Sequence, residues 1–421
     1  MLHLKKTKWL ALLTGALLCA GSAFAQDNKA LIDVLIKKGI LNEEEAKQIE
    51  KDLSKQDAAS DVSTSHGKFL QKLTLSGRIQ VQYAGIGAGI DGAAANPVST
   101  EHFLLRRIYL GAKAELGDGW SGNLNYDFAN NSFDAAFIQW KQSDQLVLDL
   151  GFRKAPIGLE EWDTSSGSLK AIERSPATRY FVESNNGRRL GAGSYRTGVF
   201  LGGTQDGFFY NLAVTNPERD EFSSLNGNSD PGVQGSGTAA NNSLAYWANA
   251  GYKGKFTNGT YRFGASYGYL PDQGGLVLGK GDNLSVYSIY GVLTAGAFDL
   301  EGEIFGSSND HGVSATRNAN ASAYWIQPAY FFTKQLEGVI RYSYVDSDGR
   351  GVNISDGTRS APSGGTMDKM SEWYFGGNYL FRGNDVKFQL GYVHSESKDT
   401  VTGAHAEAKA DGIRSQMQVN F

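Results

Sequence analysis

From Lys72 to Phe421 the chain is written almost entirely at period two, and no other feature limits its folding choices so tightly. Leu73, Leu75, Gly77, Ile79, Val81 and Tyr83 alternate with Lys72, Thr74, Ser76, Arg78, Gln80 and Gln82, the pattern of a strand with one apolar and one polar face. About sixteen such segments follow, near 72–84, 103–116, 119–130, 133–141, 145–154, 189–203, 207–216, 243–257, 259–270, 284–296, 298–308, 322–333, 335–346, 369–381, 385–397 and 411–421. Their connections sort by parity. Gly117–Gly119, Gln142–Gln145, Gly203–Gly207, Asn258-Gly259, Ala297, Thr333–Gln335 and Arg382–Asn384 are short. The intervening ones are mostly long: 85–102, 155–188, 217–242, 271–283, 309–321, 347–368 and 398–410, with the brief Asn130–Ser132 as the exception. A soluble sandwich has no reason to sort its loops in this way, whereas a transmembrane barrel has short turns at one rim and long loops at the other.

Composition bears on the same choice. Glycine supplies 53 of 421 residues, and there are 20 tyrosines and 22 phenylalanines. Beyond the first 25 residues no apolar run approaches the roughly 20 residues of a membrane helix. The aromatics gather at strand ends, among them Tyr83, Trp120, Phe128, Tyr210, Tyr252, Tyr261, Tyr269, Tyr330, Phe332, Tyr342, Tyr344, Tyr379, Phe381 and Tyr392, as an interfacial girdle requires. The expected fold is an all-β, sixteen-stranded antiparallel transmembrane β-barrel over 69–421, preceded by a short N-terminal helical segment.

Residues 1–25 read as a secretory signal peptide. Lys5, Lys6 and Lys8 precede the apolar Trp9–Ala20, and Ala23-Phe24-Ala25 offers a small-x-small cleavage site. Cys19, the single cysteine, lies within it, so the mature chain is expected to have no disulfide and no cysteine ligand. Loss of three lysines takes the formal charge from −4 to −7, which gives no global basic character for nucleic acid. Residues 26–68 are expected to form a periplasmic helical segment and linker. Leu31, Val34, Leu35, Ile49 and Leu53 recur at helix spacing over Ala30–Lys55, with Asn42 and Glu45 as a capping box. A helical hairpin and a short coiled coil both fit.

The stretch 155–188 breaks strand alternation at Pro156 and carries both charge signs. An excursion of that length within a domain is usually functional; here it is expected to fold into the lumen as a constriction loop. The more polar parity of each strand turns Arg78, Arg107, Lys113, Lys141, Arg153, Arg341, Lys387 and Arg414 inward, with Glu115, Asp127, Asp149, Glu301, Glu303 and Glu337. Strand six is ambiguous: Tyr195, Val199 and Leu201 outward would turn Arg188 and Arg196 inward. The pore-lining candidates are therefore Arg78, Arg107, Lys113, Arg153, Lys170, Arg174, Arg179, Arg188, Arg196, Arg341 and Arg414, opposed across the barrel by Glu301 and Glu303. Guanidinium forks suit oxyanions. Glu160, Glu161, Asp163, Glu173 and Glu183 in the loop work against strong anion selectivity.

Phe152-Arg153-Lys154-Ala155-Pro156-Ile157-Gly158-Leu159-Glu160, followed by Ile172-Glu173-Arg174-Ser175, resembles the strand-to-loop signature of the phosphate-selective porins O and P. So do Leu336–Asp346, Gly377-Asn378-Tyr379 and Val386–Tyr392. The resemblance spans roughly 70–421. It implies a sixteen-stranded, trimeric channel whose third loop folds into the pore, passing small anionic or polar solutes without a cofactor. A general non-selective pore remains open, as do a barrel adhesin or receptor and an outer-membrane hydrolase. The last strand, Ile413, Met417, Val419 and Phe421, is similar to the signal by which outer-membrane barrels are handed to their assembly machinery, so the expected address is the bacterial outer membrane.

Two motifs drop out. Gly274–Lys280 mimics a phosphate-binding loop, yet Gly281 follows instead of Ser or Thr and no helix pattern ensues. Of His66, His102, His311, His394 and His405 none has a compelling Ser or Asp partner by spacing, which weakens the hydrolase reading.

Overall fold

The computed structural model describes residues 70–90, 98–183, 188–216, 244–271, 283–399 and 407–421. The expected signal peptide and helical segment lie outside the described residues, as does the Gly274–Lys280 motif. Seventeen strands occur in chain order: β1 (Lys72–Ile90), β2 (Val98–Gly117), β3 (Trp120–Asp127), β4 (Ser132–Lys141), β5 (Val147–Lys154), β6 (Tyr195–Gln205), β7 (Phe208–Thr215), β8 (Ala245–Phe256), β9 (Gly259–Leu270), β10 (Leu284–Ala295), β11 (Phe298–Ser314), β12 (Arg317–Ala319), β13 (Ser322–Phe331), β14 (Leu336–Asp346), β15 (Lys369–Arg382), β16 (Val386–Lys398) and β17 (Glu407–Asn420). Apart from the short β12, each pairs antiparallel with its neighbours around the ring, and β1 pairs with β17 to close it. β12 is a stub that continues the β11–β13 hairpin, and β11 pairs directly with β13. Sixteen strands thus form the barrel.

Closure uses the last residue. The Gly77 N–H donates to the Phe421 carbonyl at 2.7 Å and the Phe421 N–H to the Gly77 carbonyl at 3.1 Å. The Phe421 ring lies over Gly77, where a Cβ would meet ring carbons at 2.3–2.4 Å; only glycine leaves that space. Hydrocarbon supplies no hydrogen bonds, so a closed sheet is the β solution that leaves no edge.

The outside of the barrel is apolar. Leu73, Leu75, Ile79 and Val81 of β1, Ile289 of β10, Ile304 of β11, Ile340 of β14 and Ile413 of β17 are all exposed. Their alternates Gln80, Gln82, Ser288, Glu303, Arg341 and Arg414 are buried. Aromatic pairs sit toward the rims, including Trp120–Trp140 at 6.0 Å, Tyr330–Phe332 at 5.4 Å and Tyr379–Phe381 at 4.8 Å between centroids. The alternation therefore resolves as lipid-facing apolar residues outside and polar residues inside.

Several expected boundaries shift. β1 and β2 run further than 84 and 103, so a tall ribbon replaces much of the expected first loop. The 309–321 connection is not a plain loop, because β11 extends to Ser314 and folds back on β12. The sixth strand starts at Tyr195, not 189; residues 189–194 stay with the inward excursion and hydrogen-bond to it through Leu190 and Ala192. The excursion is not structureless either. It carries a wide helical turn at Leu159–Asp163 and a short helix α1 (Pro176–Phe181) capped by Ser175. A second connection, 347–368, also turns inward, with the one-turn helix α2 (Ile354–Gly357) packed on α1.

A charge placed in the lipid-facing belt costs about 2–4 kcal/mol at mid-depth. Ile289→Arg, midway along β10, should lower barrel stability by about that amount in equilibrium unfolding from lipid vesicles, and Ser288→Ala beside it, facing inward, should not.

Candidate functional site

The inward loop needs partners for its irregular backbone, because buried N–H and C=O groups are costly when unpaired. The barrel wall provides them as side-chain amides and one lysine. Gln80 donates to the Ser166 carbonyl (3.2 Å), Gln418 to Gly167 (2.9 Å), Lys387 to Leu169 (2.8 Å), and Gln389 and Asn378 both to Lys170 (2.9 Å). These amides are themselves linked across strands, Gln80 to Gln418, Gln82 to Gln416, Gln416 to Gln389 and Gln389 to Asn378, at 2.6–3.0 Å. Period-two placement on neighbouring strands is what stacks them in one inner layer.

Glu160 holds the loop's other end. Its Oε2 accepts from the Ser175 N–H (2.9 Å), the Ser175 hydroxyl (2.6 Å) and the Thr178 hydroxyl (2.6 Å), while Oε1 meets Arg341 at 3.3 Å. Gly158 makes the entry bend with φ +87, and a Cβ there would lie 2.8 Å from Val182 Cγ2. An apolar seam completes the docking: Ile157, Leu159, Tyr180, Phe181 and Leu190 join Trp247, Phe305, Trp325, Val345, Ile354 and Met370 in one buried cluster. Each such side chain contributes about 1.5–3 kcal/mol. Buried ion pairs roughly break even against their desolvation. The seam therefore supplies the stability, and the ion pairs fix the register.

The expected pore-lining set divides by geometry. Arg174 pairs with Glu161 (2.8 Å) and Glu183 (3.3 Å), Arg179 with Glu183 (3.2 Å), and Arg341 with Glu372 (2.8 Å) and Glu160. All three are buried; Arg174 and Arg179 fasten the loop to itself, Arg179 also reaches the Gly357 carbonyl of the second inward loop at 2.8 Å, and Arg341 of β14 ties the loop to the wall. Lys170 pairs with Glu301, and Glu303 accepts the Leu159 N–H at 3.0 Å. The two carboxylates expected to face the basic wall across open lumen therefore meet the docked loop instead. Arg188 pairs with Asp356 at 3.0 Å. Arg196 points inward, as the ambiguous sixth strand allowed, stacking on Trp247 and donating to the Gly191 carbonyl at 2.6 Å. Tyr195 nevertheless faces the lumen too. Arg414 donates to the Arg359 carbonyl. Arg153 pairs with Asp149, and Lys113 with Glu115 at 3.2 Å.

A cavity system lies along β1–β6 beside the docked loop. Its long-loop chamber is lined by Arg106, Arg107, Lys154, Arg174 and Arg359 with Asp127, Asp134, Glu161 and Glu183. The chamber toward the chain termini is lined by Arg78, Lys113 and Lys154 with Asp134. Tyr109, Asp134, Lys154 and Tyr195 line both and mark where the chambers meet. Asp134 lies beside both tyrosines. Arg78 spans toward the loop tip, with Ser166 Oγ at 2.6 Å and Ser165 Oγ at 3.1 Å. Arg107 donates to Gln80 Oε1 at 2.7 Å. Among the described residues neither Arg78 nor Arg107 forms an ion pair.

Sequence reasoning missed Arg106, Asp134 and Arg359. The register jumps from Gln80–Arg107 to Val81–Leu105, leaving Arg106 as the extra residue of a β-bulge. A second bulge, from Asn125–Ala135 to Tyr126–Phe133, does the same for Asp134. Bulges re-aim side chains, and strict alternation cannot find them; the adjacent Arg106-Arg107 pair was the available signal. Arg106 reaches Glu173 through two nitrogens at 2.6 and 3.2 Å, and Arg359, from the second inward loop, reaches it at 3.1 Å and Glu183 at 3.0 Å. Burial acts to raise the Glu173 and Glu183 carboxyls, but Arg106 and Arg359 at Glu173, and Arg359, Arg179 and Arg174 at Glu183, outweigh it and hold both well below the usual range.

A family model for phosphate-selective porins O and P matches residues 73–421. Among solved structures, the anion-selective porin from Comamonas acidovorans has a TM-score of 0.56 at 10% identity, covering 83% of this chain and 99% of that one. The outer membrane channel DcaP of Acinetobacter baumannii gives 0.54 at 12%, covering 83% and 97%. OmpT of Vibrio cholerae in its trimer form gives 0.50 at 12%, covering 82% and 99%. At these identities the likeness is one of fold. No curated protein matches in sequence.

Glu160→Ala removes four contacts from the loop and leaves Arg341 with one carboxylate fewer. Loss of one partner of a buried pair costs on the order of 3–5 kcal/mol, so native-state trypsin cleavage at Lys170, Arg174 or Arg179 should rise sharply. A carboxylate with a lowered value contributes stability above its unfolded pKa, and that contribution is lost as pH falls through the lowered one. The loop should thus stay protease-resistant when pH drops to about 4.3, where a free glutamate titrates, and release only in stronger acid.

Proposed function

The chain belongs to the phosphate-selective porin O and P family and sits in the bacterial outer membrane; from that premise we propose that it is a passive, water-filled, anion-preferring diffusion channel for small hydrophilic solutes. Family and fold point to a channel and not to an enzyme. The observation that carries the anion preference is that Arg78 and Arg107, along the β1–β6 passage, form no ion pair among the described residues. Arginine stays charged at every relevant pH, and its fork suits phosphate and other oxyanions.

Solutes meet Arg106, Arg107 and Arg359 on the long-loop side, pass Lys154 between Tyr109 and Tyr195, and leave past Arg78 and Lys113. Selectivity is graded and not absolute, since Asp127, Asp134 and Glu161 face the same water. Arg174, Arg179 and Arg341 serve by holding the constriction in place. Three barrels assemble as a homotrimer, a reading that the trimeric form of the Vibrio cholerae neighbour supports.

In planar bilayers under a salt gradient, Arg78→Glu with Arg107→Glu should move the reversal potential toward cations, and Asp134→Asn should move it further toward anions. If the double substitution leaves the potential unchanged, those arginines do not set selectivity. Replacing chloride by phosphate in the same experiment ranks the two anions.

A further inference from the structure

The lumen holds a second recess, on the side of the chain termini, between β5, β6, β7 and β9 and the flank of the inward loop. Its volume is about 390 Å3, within the range of small-molecule sites. It shares no lining residue with either chamber of the passage. We propose that this recess is a binding subsite for a neutral polyhydroxylated ring, of the chemistry of a sugar. The proposal rests on the barrel being an open channel.

Charge balance argues first. Arg153, Lys253 and Arg262 line the recess with Asp144, Asp149 and Asp163; Asp144 is bound by Lys141 at 2.7 Å, and both arginines are matched by aspartates, so no unmatched guanidinium draws an anion there, unlike in the passage. Arg153 pairs with Asp149 and Arg262 with Asp163. Both guanidinium groups are fixed by rings, Arg153 over Phe137 and Phe200 at 5.4 and 5.2 Å, Arg262 over Phe209 and Tyr290 at 4.7 and 5.9 Å. Stacking of this kind holds the donors in a set orientation. The recess therefore presents fixed donors beside fixed acceptors.

A neutral hydroxyl donates and accepts without carrying charge, whereas an oxyanion brings negative charge and mostly accepts. A ring bearing several hydroxyls can take a hydrogen bond from each arginine and return one to the neighbouring aspartate. An anion would satisfy the arginines and meet unfavourable carboxylates. Gln139, bound to Asp149 at 2.9 Å, and Asn211 add amides on the wall. Trp162, half-buried on the loop, offers an apolar face for the C–H side of the ring.

The test titrates maltose into the full-length, detergent-solubilised protein by calorimetry, with inorganic phosphate as competitor. A saturable heat is expected, weakened at least tenfold by Trp162→Ala and by Asn211→Ala, and not displaced by phosphate. Absence of saturable heat, equal binding by both variants, or displacement by phosphate overturns the subsite. Bilayer conductance of each sample is measured in parallel. A conducting wild type that ignores maltose sinks the subsite alone, whereas a protein that never conducts sinks the channel reading beneath it. Variants that conduct like the wild type are folded, so their loss of maltose binding is local.

Discussion

A strand in hydrocarbon has no water to take its N–H and C=O groups, so β1 must find β17, and every other property of the molecule follows from that meeting. The Gly77–Phe421 hydrogen bonds and the thirteen-residue register between β1 and β17 close the ring. Closure separates two solvents. One parity of each strand faces lipid and is apolar; the other faces a lumen wide enough to admit part of the chain itself. Without a closed wall there would be neither an inside for the loop to enter nor a passage for it to narrow.

The loop enters because the wall is prepared for it. Inward glutamines and asparagine on β1 and β15–β17 take its carbonyls, Glu160 gathers the start of α1, and an apolar seam opposite the passage supplies most of the stabilisation. Docking against β10–β17 leaves the cavities on the β1–β9 side. The asymmetry of the channel is thus a consequence of where the inner wall is amide-rich and apolar. The second inward loop adds Arg359 to the same cluster and helps keep two buried glutamates ionised. Charges that look like a selectivity ladder in a list of basic residues are, in half the cases, fastenings.

How much of this was legible beforehand depended on whether the signal was local. Alternation on β1 told which of Arg78 and Ile79 faces inward, since a strand's two faces are fixed by its own backbone. The break at Pro156 and the charge-rich run after it marked the constriction. Arg106 and Asp134 escaped because a bulge is a relation between two strands, invisible in either one. Glu301 and Glu303 were read as facing open water, because nothing in β11 says that Lys170 and Leu159 will lie over them. The inward fold of 347–368 escaped for the same reason: its polar sequence suits an exposed loop equally well.

By itself the sequence determined the closed barrel, its inside and outside, and the stretch that leaves the wall to fold inward, because these depend on hydrophobic period, connection length and interruption, all properties of neighbours along the chain. Only the tertiary structure decided which basic groups line water and which are spent holding the loop, since a guanidinium's role depends on the carboxylate that another strand brings to it. That partnership is set by register, bulge and docking across the lumen, and those are settled only when the ring has closed.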